Sequence, residues 1–420
     1  MCECKHSKER LKNVEQLDPH HVVRYSRQLL LHDGFGVNGQ LKLLSSSVLV
    51  IGAGGIGSTL LLFLAASGVG KISVVDFDKV DVSNLHRQVI HDTDRVGINK
   101  AISACNTMRA LNPTIECIPI VEPLSTANAL ELISQYNCVV DASDNPKTRY
   151  IVNDACVLAG KPLVSGSAMG TEGQLTVYNH NNGPCYRCLY PKPSTTEGCK
   201  TCDDNGVLGT VPGMIGILQA TEVLKVLTGI GSTMENRLLM YDGLGCKFYS
   251  IKKPPKRKNC VSCSLTAEIR SMEDSETFCS SARGPNLLDQ TKEYQSNNKL
   301  NSGVADDQLP AISCTELAKI RNEGSSFVLV DVRVPQQFAM CKLEGTINIP
   351  LADIETSMDL LEELSQGKKP IYFLCRRGIA SAEAVTLVRR KEPPGVHSIY
   401  SVEGGLNSWS KTVDSRFPFY

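Results

Sequence analysis

Short apolar runs recur along the first half of the chain at the spacing of strands separated by helices. VLVI (48–51), KISVVD (71–76), ECIPI (116–120), CVVDAS (138–143) and PLVSGSA (162–168) each carry the β-branched, apolar character of a strand. The segments between them repeat apolar positions at helical spacing, as in STLLLFLAASG (58–68). This alternation predicts an α/β domain with a mostly parallel sheet covered by helices on both faces. Residues 20–47, centred on RYSRQLLLHDGFG, predict a helical lead-in. GQLTVYN (173–179) predicts a further strand, antiparallel to the rest, and PGMIGILQATEVLKVLTG (212–229) a long buried helix. Residues 265–308, rich in Ser, Glu, Asp, Asn and Lys, predict a flexible linker. Order resumes near 309–311 with ISCTELAKI as a helix, FVLVDVR and PIYFLC as strands, and SAEAVTLVRR as a helix, a second α/β unit of ordinary small-domain size.

Composition narrows the class without naming the chemistry. A chain of 420 residues with 42% hydrophobic residues has room for two or three buried cores. Lysine plus arginine and aspartate plus glutamate balance at 44 each, so no global field argues for a nucleic-acid or membrane partner. The N-terminus, MCECKHSKERLKN, lacks the apolar core of a secretory signal. Residues 1–19 are expected to be a disordered tail, and the cytosol is the expected compartment. Seventeen cysteines then point to metal or thiol chemistry rather than a disulfide framework.

The strand VLVI runs into GAGGIG, whose Gly52, Gly54, Gly55 and Gly57 have the spacing of a phosphate loop. Such glycines let backbone N–H groups approach a phosphate at a helix N-terminus. Asp76, about 20 residues on, stands where a ribose-binding carboxylate is expected, which makes an NAD-dependent oxidoreductase the first candidate. The following residues favour ATP. Asp78 stands beside Asp76, and SNLHRQ (83–88) brings Asn84 and the guanidinium fork of Arg87. Lys100 opens the next helix, and DASDN (141–145) places Asp144 beyond a strand end as a Mg²⁺ ligand.

In their order, VLVIGAGGIG, VVDFDKVDVSNLHRQV, GINKA and DASDN resemble the adenylating domain of ubiquitin-activating-like enzymes, of the MoeB and ThiF type, over residues 20–264. The resemblance implies a Rossmann-like fold. It also implies an ATP site formed by the four glycines, Asp76, Ser83, Asn84, Leu85, His86, Arg87, Lys100, Asp144 and Asn145, with Mg²⁺ on Asp144. It further implies a homodimer in which Arg27 reaches the nucleotide of the neighbouring subunit.

Three CxxC pairs follow: Cys185/Cys188, Cys199/Cys202 and Cys260/Cys263. Two such pairs build a tetrahedral zinc site. Joining 185/188 to 260/263 would pin the end of the first domain to its centre, and these four match the zinc ligands of the family. Cys202, in TCDDNGVLGTVPG, is a candidate nucleophile. Asp203 and Asp204 oppose its ionisation, and a 199/202 disulfide or another metal pairing stays open. In the eukaryotic relatives the matching cysteine forms a thioester or acyl-disulfide link with a carrier.

Cys375 ends a strand and opens the loop CRRGIAS into a helix, an arrangement expected to favour a thiolate or persulfide through loop N–H groups and the helix dipole. LVDVR (329–333), LEGTINIP (343–350) and VEGGLNSW (402–409) around it resemble a rhodanese domain over about 309–420. A phosphatase reading is weak, because SAEA (381–384) lacks the arginine that would follow the loop. The two resemblances together point to the eukaryotic adenylyltransferase and sulfurtransferase family of molybdenum-cofactor synthesis and tRNA thiolation. That implies ubiquitin-like carriers ending in Gly-Gly, a cysteine desulfurase as sulfur donor, and ATP, Mg²⁺ and Zn²⁺. A ubiquitin-activating enzyme passing its modifier as a thioester from Cys202 is the alternative.

Overall fold

A computed structural model describes residues 16–32, 34–192, 206–281 and 309–419. The chain divides into two compact units. The first holds an eight-stranded sheet in the order β3-β2-β1-β4-β5-β6-β7-β8. Its parallel part is β1 (Ser47–Ile51), β2 (Lys71–Val75), β3 (Glu116–Ile120), β4 (Cys138–Asp141) and β5 (Leu163–Met169). Val48 of β1 pairs with Ile72 on one side and Cys138 on the other. Every residue of β1 is buried, which is why its sequence is a continuous apolar run without alternation. Strand order reverses direction at β1, so a crevice opens at the C-terminal ends of β1 and β4.

β6 (Glu172–Tyr178) is antiparallel to β5, as its sequence predicts. Two further antiparallel strands extend the sheet, β7 (Arg237–Asp242) and β8 (Lys247–Lys252). They escape a reading by hydrophobic pattern because β8 is exposed at all six positions, with a lysine at each end of this edge strand.

The helix Thr210–Thr228 is apolar and long enough to cross a bilayer by length and composition. Here it belongs to the core. Val211, Ile215 and Val223 are fully buried, and Gln219 donates to the carbonyls of Asp141 and Val164 at the sheet. Gly216 lies against the helix Gly55–Ser67, where a Cβ would stand 2.2 Å from the Ile56 carbonyl oxygen. In the expected tail, Asp18 caps the helix Pro19–Leu29 by accepting from the His21 N–H.

The first part of the segment expected to be a linker is folded. Residues 265–281 fold onto the first unit, and Met272–Ser281 is a helix. Met272 and Ile269 are buried, and the fully buried Ser275 donates to Asp154 at 2.6 Å. Polar residues predominate in this segment because only one narrow face is covered. Residues 282–308 lie outside the described residues.

The second unit is a five-stranded parallel sheet in the order β11-β10-β12-β13-β9. Its strands are β9 (Ala311–Ile312), β10 (Val328–Asp331), β11 (Thr346–Asn348), β12 (Ile371–Leu374) and β13 (Ile399–Val402). The helix Cys314–Asn322 starts in a capping box between Ser313 and Glu316. The helix Ile379–Lys391 follows β12 directly after the Cys375 loop.

Candidate active site

A cavity of about 410 Å³ occupies the crevice at the ends of β1, β2 and β4. Gly52, Gly54 and Gly55 form one wall, and Asp76, Arg87, Lys100, Asp144 and Asn145 also line it. Gly52 has φ +101°, and a Cβ there would stand 2.7 Å from the Ala142 carbonyl oxygen, so only glycine fits. Gly57 serves packing instead. It brings the helix Gly55–Ser67 against the loop, where a Cβ would meet the Gly52 carbonyl oxygen at 2.1 Å.

Asp76 accepts from the Ala53 N–H at 2.8 Å and from the Asp78 N–H at 2.9 Å. Burial pushes its carboxyl above the usual range, while the Ala53 N–H and Lys100 pull it back. Lys100 is buried at the start of the helix Lys100–Leu111, with Nζ 3.0 Å from Asp78 Oδ2. Asn99 caps that helix and so fixes where Lys100 enters the site. Asp144 is an exposed carboxylate at the rim, a donor suited to Mg²⁺ that keeps its waters and takes phosphate oxygens. Asn145 caps the helix Pro146–Leu158 by accepting from the Thr148 N–H.

Ser83, Asn84, Leu85 and His86 form a short turn leading to Arg87, in which His86 Nδ1 lies 2.9 Å from the Ser83 carbonyl oxygen. They are not among the lining residues. Arg27 is exposed on the helix Pro19–Leu29 and does not line the cavity either. Arg149 and Gln88 are among the lining residues not identified from the sequence. Arg149 donates to the carbonyls of Ser143 and Gly166, pinning the loop that carries Asp144. Gln88 is buried, with its amide oxygen unpaired at the cavity wall. The signal for Gln88 was its place directly after Arg87; Arg149 had none.

Cys185, Cys188, Cys260 and Cys263 converge, with all four sulfurs within 4.8 Å of one another. The Sγ–Sγ separations include 3.9, 3.6 and 3.5 Å. Four sulfurs held tetrahedrally about 2.3 Å from a zinc ion stand about 3.8 Å apart, so the cluster is compatible with zinc. The Arg257 N–H donates to Cys188 Sγ, an outer contact of the kind that orients metal ligands. Between the first two cysteines, Arg187 is buried against Asp154 in a two-pronged ion pair and stacks on Tyr150. Cys199 and Cys202 lie outside the described residues.

In the second unit Cys375 is buried at the end of β12. The Gly378 N–H donates to its sulfur at 3.1 Å, and Ser381 Oγ lies 3.5 Å away, itself in contact with Ser401 Oγ. Gly378 has φ +86°, and a Cβ there would meet the Gly404 nitrogen at 2.6 Å. Arg333 of the LVDVR motif is spent on Asp331 and on the carbonyls of Gln337 and Cys341. It locks the loop after β10.

Residues 25–262 match the ThiF family, and residues 313–412 match the rhodanese-like domain. The adenylyltransferase and sulfurtransferase MOCS3 of Drosophila ananassae is 43% identical over 410 residues, covering 96% of this chain and 87% of the relative. The MOCS3 protein of Xenopus laevis is 41% identical, covering 95% and 88%. The chain belongs to the MOCS3 family of adenylyltransferases and sulfurtransferases. As a MOCS3-family enzyme it carries an adenylating ThiF unit, which implies ATP and a divalent metal, and a sulfur-transferring rhodanese unit. Among solved structures, E. coli MccB with MccA-N7isoASN superposes with a TM-score of 0.52 at 24% identity, over 58% of this chain and 74% of MccB. That likeness concerns the fold of the MOCS3-family first unit alone.

Proposed function

We propose that the enzyme activates the C-terminal glycine of ubiquitin-like sulfur carriers as an acyl-adenylate and converts it to a thiocarboxylate with sulfur carried on Cys375. The carrying observation is that the glycine loop, Asp76, Arg87, Lys100 and Asp144 meet at one cavity in a chain that also holds a cysteine at a strand-to-helix loop.

The carrier carboxylate attacks the α-phosphorus of ATP, the bond to the β-phosphate oxygen breaks, and pyrophosphate leaves. Asp76 orients the ribose. Lys100 and Arg87 stabilise charge developing on the α-phosphate, joined by Arg27 from a second copy in a homodimer. Mg²⁺ held by Asp144 supplies further charge neutralisation when bound. Gly52, Gly54 and Gly55 shape the phosphate wall, and Ser83 to His86 set the position of Arg87.

The terminal sulfur of a Cys375 persulfide, loaded by a cysteine desulfurase, then attacks the carbonyl carbon and AMP departs. The product is an acyl disulfide between carrier and Cys375. The Cys202 thiolate attacks Cys375 Sγ, which releases the thiocarboxylate and leaves a Cys202–Cys375 disulfide for an external dithiol to reduce. Zinc on Cys185, Cys188, Cys260 and Cys263 is structural. The sulfur serves molybdopterin synthesis and tRNA wobble-uridine 2-thiolation in the cytosol.

The test mixes the enzyme with ATP, a sulfur donor and a carrier ending in Gly-Gly, and weighs the carrier. One sulfur in place of one oxygen is the expected product. An unchanged carrier mass, or a thioester to Cys202 as the end point, overturns the proposal.

A further inference from the structure

His91 lies outside the lining of the nucleotide cavity but touches its glycine loop from behind. It is buried, with Nε2 3.0 Å from the Ala53 carbonyl oxygen and Nδ1 2.9 Å from Ser103 Oγ. A carbonyl only accepts, so Nε2 carries the proton. Burial favours the neutral ring, in which Nδ1 accepts from the Ser103 hydroxyl. Ser103 sits one turn after Lys100 on the same helix and is fully buried.

Ala53 is therefore held on both sides. Its N–H goes to Asp76, and its C=O goes to His91. The described residues hold no cis peptide bond, and in a trans peptide the C=O and the next N–H point in opposite directions. Drawing the Ala53 carbonyl toward His91 turns the Gly54 N–H the other way, and Gly54 lines the cavity. Were this peptide to flip, a carbonyl oxygen would face an anionic phosphate in place of an amide proton. That exchange replaces an attraction with a repulsion at the same point.

We propose that His91 is a positioning residue for the glycine loop: it holds the Ala53 carbonyl away from the cavity so that the loop presents amide protons to the phosphates of the nucleotide. Through Ser103 the same ring sets the loop against the helix that carries Lys100, so the amides and the ammonium keep one spacing. The proposal rests on the reading of the cavity as an ATP site. It adds a residue that contacts neither nucleotide nor carrier.

The test compares equilibrium binding of ATP and of adenosine to the full-length chain, with the melting temperature followed alongside. His91→Ala is expected to weaken ATP by about tenfold or more, the range for removing one buried hydrogen-bond partner, while adenosine affinity stays within about twofold. His91→Gln, whose amide nitrogen stands where Nε2 stood, is expected to restore ATP to within about threefold of the native value. Ser103→Ala is expected to give a smaller loss in the same direction. Where His91→Ala does not fold, His91→Asn serves, because its amide stops short of Ala53. Unchanged ATP affinity in these variants overturns the proposal, as does an equal loss of ATP and adenosine. A native chain that binds neither ligand sinks the ATP reading itself, and the proposal with it.

Discussion

Two strand–loop–helix junctions, the proposed seats of nucleotide binding and of sulfur transfer, are built alike. β1 runs through Gly52 into the helix Gly55–Ser67, and β12 runs through Cys375 and Gly378 into the helix Ile379–Lys391. Each loop turns on a positive-φ glycine pressed against the backbone of another loop, Gly52 on Ala142 and Gly378 on Gly404. What surrounds them differs. The first loop supplies only backbone, and its charged groups come from other parts of the fold: Asp76 after β2, Lys100 from a helix start, Asp144 after β4. The second loop supplies its own proposed reacting atom, Cys375 Sγ, and closes on it with the Gly378 N–H and Ser381. A triphosphate is large and highly charged, so its site needs several strand ends. One sulfur atom needs a single loop.

The largest effect expected from breaking this division is at the second junction. Cys375→Ala is expected to abolish thiocarboxylate formation while ATP–pyrophosphate exchange with a carrier continues at the native rate. Lys100→Ala is the reciprocal variant. It is expected to slow exchange by about 10²- to 10³-fold, as for loss of a preorganised charge, with sulfur transfer from thiosulfate to cyanide unaffected. If either variant damages both activities, the junctions are not independent.

Packing gives a smaller effect with the same logic. Gly57→Ala puts a methyl group 2.1 Å from the Gly52 carbonyl oxygen and is expected to destabilise the first unit by about 2–3 kcal/mol. Calorimetry would show its transition falling and that of the second unit unmoved. Chelation of the zinc proposed at the cysteine cluster is expected to act likewise, lowering the first transition only, because all four sulfurs belong to that unit.

The smallest effect is a pH dependence. Burial, with Lys100 and Arg95 nearby, lowers the His91 pKa from 6.5 against the opposing pull of the Ala53 carbonyl and Asp92. Unfolded His91 takes up a proton as pH falls through 6.5, while the folded ring resists it. The stabilisation is therefore present above pH 6.5 and is lost on acidification below it, by at most about 1.4 kcal/mol per pH unit. His91→Gln is expected to flatten that slope in chemical denaturation, and an unchanged slope would falsify the assignment.

The comparison also explains what was legible in the sequence. The geometry of the Cys375 loop could be read directly, since cysteine, glycine and helix start follow one another closely. The candidate cavity was legible where its lining residues stand in short motifs at strand ends, as with Asp76, Arg87, Lys100 and Asp144. Arg149 and His91 were not, because they act through the carbonyls of Ser143, Gly166 and Ala53, and no residue pattern marks a carbonyl that needs holding. β8 was missed because it has no buried face to impose alternation. Residues 265–281 read as linker because a helix docked through Met272, Ser275 and one side of Phe278 keeps most of its surface polar.

That docked helix moves the border at which the chain divides. A fragment stopping at 264 keeps all four clustered cysteines yet strips the Ser275 hydroxyl from Asp154 and uncovers the Arg187 stack against Phe278. A fragment carried through 281 retains both. Limited proteolysis should therefore release a first piece ending beyond residue 281, and any gene split between the two activities would have to leave these seventeen residues with the adenylating half.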